Sequence, residues 1–97
     1  MIEQNRILDF IGKLKQCFES NPARKTITYT IGPKYIKVYS HYLNNPDSIS
    51  IYCFIDADGN IYKPAGSKKP ADGIRSNILT ADLNRIDIHG AWLYRSK

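Results

Sequence analysis

Apolar residues near the start of the chain recur at helical spacing. Ile7, Ile11, Leu14 and Phe18 lie four, three and four residues apart, and Leu8, Phe10 and Cys17 widen the stripe. Glu3, Arg6, Asp9, Lys13, Lys15 and Glu19 mostly cover the other side. The spacing predicts an amphipathic helix over residues 2–20. Ser20-Asn21-Pro22 ends it, because proline cannot continue the ladder and biases the preceding residue to extended geometry. A stripe of this kind can also bind a partner or a membrane surface, but packing against a core is its ordinary use.

The period then changes to two. Residues 25–31, KTITYTI, alternate strictly, with Ile27, Tyr29 and Ile31 on one face and Thr26, Thr28 and Thr30 on the other. Gly32-Pro33 reverses the chain into KYIKVYSHY, where Ile36, Val38 and Ser40 oppose Tyr35, Lys37, Tyr39 and His41. After a loop at Asn44-Asn45-Pro46-Asp47 comes SISIYCFID. Alternation there turns Ile49, Ile51, Cys53 and Ile55 inward and Ser50, Tyr52, Phe54 and Asp56 outward. Asp58-Gly59 is a hairpin turn into a fourth short strand from Asn60 to Lys63. The expected class is α+β: one helix on a four-stranded antiparallel meander. A basic Pro/Gly loop and a short C-terminal segment follow. In that segment Asn77 is placed to cap a short helix through Ile78, Leu79, Ala81 and Leu83. Ile86 and Ile88 alternate with Asp87 and His89, Gly90 breaks the pattern, and Trp92 is expected to dock on the domain.

The length, 97 residues, makes a single domain of 1–97. No apolar run approaches the ~18 residues that span a bilayer, and no signal-peptide core follows the start, so a cytoplasmic location is expected. Cys17 and Cys53 match no disulfide or metal spacing and read as small apolar side chains. The formal net charge is +5 and the pI about 9.3, which suits an acidic partner such as nucleic acid, a nucleotide or an acidic protein. The charge falls in two blocks. Arg24, Lys25, Lys34 and Lys37 come with no acid between them, and Lys63, Lys68, Lys69 and Arg75 face only Asp72, on a segment stiffened by Pro64 and Pro70.

Chemical motifs are few. Asp56-Ala57-Asp58-Gly59-Asn60 suggests a calcium loop, but glycine is fourth and Ser67 stands where the closing glutamate belongs. Gly66-Ser67-Lys68 lacks the earlier glycine and the following Ser or Thr of a nucleotide-hydrolysing loop. His41 and His89 have no ligand-like spacing, and no nucleophile constellation is present, so neither a metal, a cofactor nor a catalytic site is expected. What remains is either a loop of solvated lysines or an anion cradle, with Lys63, Lys68, Lys69 and Arg75 for phosphate, with Asn77 and with Tyr62 for stacking. The sheet face opposite the helix offers a second candidate in Tyr35, Lys37, Tyr39, Tyr52 and Phe54. It reads as a stacking platform for bases, as a homodimer interface, or as a face covered by the C-terminal segment.

The run from Phe54 to Ile78 resembles a segment of small uncharacterised tailed-bacteriophage proteins. Asp56, Gly59, Ile61-Tyr62-Lys63-Pro64-Ala65, Lys68-Lys69-Pro70-Ala71 and Gly73-Ile74-Arg75-Ser76-Asn77-Ile78 carry the likeness, and KYIKVY and GAWLYR extend it to about half the chain. Ser67 replaces a tryptophan often found there. The resemblance implies a phage product in the host cytoplasm, of a size and origin that often counters host defence by sequestering a nucleotide or binding a host complex. Two functions therefore stand: a non-enzymatic binder of a phosphate-bearing ligand, nucleotide or nucleic acid, or a module that inhibits a host complex or builds a virion through the aromatic face.

Overall fold

In a computed structural model, residues 3–20, 24–65 and 69–81 are described. Helix α1 (Gln4–Glu19) forms where the apolar stripe predicts it and buries Ile7, Phe10, Ile11, Leu14 and Phe18. Its exposed side carries i,i+4 ion pairs, Asp9 to Lys13 at 3.4 Å and Lys15 to Glu19 at 3.9 Å. Exposed pairs of this kind contribute only a few tenths of a kcal/mol, so burial of the stripe is what holds the helix. It closes at Ser20, whose N–H donates to Gln16 O and whose hydroxyl donates to Cys17 O.

The helix lies on a five-stranded antiparallel sheet in the order β1-β2-β3-β4-β5, which makes the fold α+β. The strands are β1 (Lys25–Ile31), β2 (Ile36–Tyr42), β3 (Asn45–Ile55), β4 (Asn60–Tyr62) and β5 (Ser76–Asn77). Ile27, Ile36, Val38, Cys53, Ile55 and Ile61 meet the helix side chains in one core. Burial pushes the Cys53 thiol up, and both cysteines are free.

Three expectations are corrected. Among the described residues the strand count is five, because Ser76 and Asn77 pair with Ile61 and Asn60 where a helix cap was expected. The cap chemistry is nonetheless present: Asn77 Oδ1 accepts from Leu79 N–H at 2.9 Å, and Asn77 O accepts from Ala81 N–H at 2.8 Å, giving a turn. Leu83 and the expected elements beyond it, Trp92 included, lie outside the described residues.

Second, β3 begins at Asn45, and the expected loop shrinks to a turn at Leu43-Asn44. The ladder slips between Ser40 and Tyr42. Ser48 repairs it, accepting from Tyr42 N–H at 3.1 Å and donating to Asn45 O at 2.7 Å.

Third, the alternation of β3 breaks in its middle. Val38 pairs with Cys53 and Tyr39 with Ile51, so Tyr52 is the extra residue of a bulge. Tyr52 turns to the helix side, where its ring meets Phe18 edge-on at 5.0 Å. Ile49, expected inside, is 52% exposed, and Ile51 is only half-buried. Cys53 and Ile55, beyond the bulge, point inward as expected.

Candidate functional site

The site is built on the β3–β4 turn. Asp56 N–H donates to Asn60 O and Gly59 N–H donates to Asp56 O, both at 3.0 Å. This is a tight turn closed by Gly59 at φ 80°, a left-handed position that glycine takes without a Cβ clash. Asp56 then uses both carboxylate oxygens. Oδ1 accepts from the N–H groups of Asp58 and Asn60 at 2.9 Å. Oδ2 accepts from Asn60 Nδ2 at 3.2 Å and from the Tyr62 hydroxyl at 2.8 Å. Asn77 reaches across from β5, its Nδ2 donating to Asn60 Oδ1 at 3.0 Å and to Asp58 O at 3.1 Å. Ile78 N–H adds a bond to Gly59 O at 2.9 Å. One polar knot thus fastens the turn to the last strand.

Burial alone would raise the Asp56 pKa. The donors from Tyr62, Asn60 and Asp58 outweigh it and hold the carboxyl below the ordinary carboxylate range. Tyr62 moves the other way: its hydrogen bond to Asp56, then burial and the nearby negative charge, push it up to about 12. A raised folded-state value means stability that is complete below the unfolded tyrosine value near 10 and lost as pH climbs toward 12. Tyr62→Phe removes that coupling. Its unfolding free energy should fall less steeply than the wild type's between about pH 10 and 12, as read by urea titration at each pH. Parallel curves would disconnect Tyr62 from Asp56.

Past Tyr62 the expected open loop is a hairpin arm. Ala71 N–H donates to Lys63 O at 2.8 Å and Ala65 N–H donates to Lys69 O at 3.1 Å, with Pro64 opposite Pro70. The prolines fit because this pair needs no donor: the neighbours on either side supply both bonds. Register places Lys63, Ala65, Lys69 and Ala71 on one face of the arm. Lys69 is exposed and Lys63 half-buried, while Lys68 lies outside the described residues. The return path swings out at Asp72 and Gly73, which has φ 94°, and rejoins the sheet where Arg75 N–H donates to Ile61 O at 2.8 Å. Arg75 is half-buried, and its enclosed Nε makes no hydrogen bond within the protein.

The two candidate sets meet at Tyr62. Lys37 pairs with Phe54 and Phe54 with Tyr62, so these residues form one row across β2, β3 and β4 on the face away from the helix. Tyr35 stands edge-on to both rings, 5.9 Å from Phe54 and 5.8 Å from Tyr62. Lys34 lies 5.7 Å over the Tyr35 ring and Lys37 6.0 Å over Phe54. Two lysines of the early basic block therefore lie over this aromatic cluster, while the late block joins the sheet through Arg75 N–H, bonded to Ile61 O beside Tyr62. Tyr39 is half-buried on the same face, and Tyr52, expected there, is on the other side. Phe54 is fully buried and meets Tyr35 edge-on, so its ring is packed and not open for stacking, while Tyr35 and Tyr62 are half-buried.

Asn77, expected to touch a ligand, is bonded within the knot, and Tyr62, expected to stack, gives its hydroxyl to Asp56. Asp56 and Asn60 had been read only as a turn; the signal for them is an Asx turn, an aspartate whose carboxylate accepts N–H groups two and four residues on. Neither of two clefts elsewhere is lined by Lys63, Lys69 or Arg75. One, about 290 Å³, lies between the start of α1 and Gly32, Lys34 and Asp56; the other, about 420 Å³, lies between Arg6, Lys13 and Leu79. Among the described residues no three His, Cys, Asp or Glu side chains cluster, and no helix is long and apolar enough to cross a membrane.

A family of unknown function, DUF7717, matches residues 3–95. The chain belongs to that family. No curated protein and no solved structure matches it. The match runs from the first turn of α1 past the arm, so the polar knot and the basic-aromatic face both fall within the family segment.

Proposed function

We propose that the protein is a non-enzymatic binder of a phosphate-bearing ligand, and of a nucleic-acid backbone in preference to a free nucleotide. What supports this reading is the pair of lysines over one ring cluster, Lys34 over Tyr35 and Lys37 over Phe54, with Tyr62 beside them and Arg75 joined to β4 at Ile61. Lys37 and the Arg75 end of β5 are three strand spacings apart, about 14 Å, or roughly four nucleotides of helical rise. The described cations lie along a sheet face and an arm, and neither cleft is lined by Lys63, Lys69 or Arg75, which favours an extended polyanion over a pocketed nucleotide. Arg75 brings a further positive charge to the base of the arm, where its backbone N–H bonds Ile61 O. Burial of Tyr52 and Phe54 weakens the rival reading, a docking face of exposed aromatics. In the host cytoplasm that the phage resemblance implies, such binding would sequester its ligand.

Titration of a labelled oligonucleotide tests it. Affinity should fall linearly with salt on logarithmic axes, since each neutralised phosphate releases a counterion. Replacing Lys37, Lys69 and Arg75 together by glutamine should flatten that slope by about two to three while thermal unfolding stays cooperative. An unchanged slope in the folded variant, or no binding at low salt, would end the proposal. Salt-insensitive binding of a nucleoside triphosphate would move the ligand to a pocket.

A further inference from the structure

Strand β1 is the outer strand of the sheet, and no described strand pairs with its far edge. Its bonds to β2 can be assigned from the ends: Gly32 N–H donates to Tyr35 O, and Leu43 N–H donates to Arg24 O. Alternate residues between these ends therefore bond to β2, and the backbone groups of Lys25, Ile27, Tyr29 and Ile31 point outward. The strand pairs with β2 without a register shift, and it holds no proline and no charge after Lys25. Native edge strands usually carry such devices against pairing. Tyr29 and Ile31 share the helix side with Ile27, but α1 covers only Ile27; they remain 43% and 56% exposed. Thr28 and Thr30 are exposed on the other face.

We infer that β1 pairs antiparallel with β1 of a second copy, about a two-fold axis at Thr28. The four outward residues are symmetric about Thr28, so this register uses every outward backbone group of the strand. Lys25 faces Ile31 of the other copy and Ile27 faces Tyr29, each facing pair exchanging two backbone hydrogen bonds. Tyr29 then covers the open flank of the other copy's Ile27, and Thr28 meets Thr28, a favourable cross-strand pair. The charges choose antiparallel over parallel. Antiparallel pairing sets the Arg24–Lys25 end of each strand against the end where Glu3 lines a cleft with Ile31, Gly32 and Lys34. Parallel pairing would stack Lys25 on Lys25. The contact is isologous and closes at two copies. The product is a continuous ten-stranded sheet, twice the five of one copy, with both basic-aromatic faces on the same side.

A strand-edge contact of this size is small, so the dimer should appear by sedimentation velocity only as concentration rises from micromolar toward millimolar. The double variant Tyr29→Lys, Ile31→Lys changes two exposed side chains and should shift dimerisation at least tenfold without lowering the melting temperature of the monomer. Register is tested separately. Thr28→Cys puts two sulfurs on the axis, with Cα atoms about 4.5 Å apart, and should cross-link under mild oxidation. Thr30→Cys, displaced four residues from its symmetry mate, should not. A monomer at every concentration, an association unaffected by the double variant, or equal cross-linking at positions 28 and 30 would each overturn the inference.

Discussion

Phe54→Ala should cost about 3–5 kcal/mol of stability, more than any change to the basic side chains around it. Phe54 is fully buried on the sheet face away from the helix, walled by Tyr35, by the strand neighbour Tyr62 and by the stem of Lys37. Removing the ring leaves a cavity that a three-residue strand on one side cannot collapse into. In a domain of this size the loss would consume much of a total of roughly 5–15 kcal/mol and lower the melting temperature by some 15 °C or more. Phe54→Leu refills most of the volume and should cost only about 1 kcal/mol. The pair of variants separates a packing role from a stacking one. If Phe54 packs, oligonucleotide affinity in Phe54→Leu stays within twofold of wild type. A Leu variant that is stable but no longer binds would make the ring a platform for bases and reverse the reading of this face.

The parts of the fold that were legible are those where one period runs unbroken. The helix declares itself because Ile7, Ile11, Leu14 and Phe18 are all inside, and β1 and β2 because every pair from Lys25↔Tyr42 to Ile31↔Ile36 holds one register. A bulge leaves no such trace. SISIYCFID alternates as letters, yet the extra residue Tyr52 shifts the phase by one, sending Ile49 out and Tyr52 in. Strand β5 is two residues long and cannot show a period at all. The arm was hidden by its own prolines, which read as loop punctuation; they pair where no N–H is needed.

The charge of the candidate site is legible in the sequence, because Lys37, Lys63, Lys69 and Arg75 stand in clusters with few acids; the contacts that its polar side chains make are not. Asn77 and Tyr62 look like ligand groups because amides and phenols bind ligands, but in this fold a half-buried carboxylate and an adjacent amide claim them first. That claim depends on a contact between residues seventeen and more positions apart, Asn77 with Asn60 and with Asp58. No local pattern reports it.

Asp56→Ala should therefore be the most damaging polar change, about 2–4 kcal/mol. It strands two turn N–H groups, the Asn60 amide and the Tyr62 hydroxyl at once. Partial access of water to the turn keeps the cost below the sum of four charged hydrogen bonds. Asp56→Asn keeps an oxygen for the two N–H groups but turns an amide toward the Asn60 amide, donor against donor, and should cost about half as much. The charge itself is visible in pH. The folded-state value of Asp56 is lowered, so its contribution is complete above the unfolded carboxylate value near 3.9 and disappears as pH falls through the lowered one. The acid limb of the stability curve should be shallower in Asp56→Asn than in the wild type. Function follows from the same knot, because β4 and β5 share only two facing pairs, and the bonds from Asn77 and Ile78 to the turn reinforce the Arg75 N–H bond that holds the arm's return path to the sheet. In Asp56→Ala, hydrogen exchange at Ile78, whose N–H is bonded to Gly59 O, should accelerate before that of the helix. Oligonucleotide binding should weaken with it, through a loosened Arg75 rather than a lost contact. Normal exchange at Ile78 in a destabilised variant would mean that the carboxylate holds the turn alone and the arm stands without it.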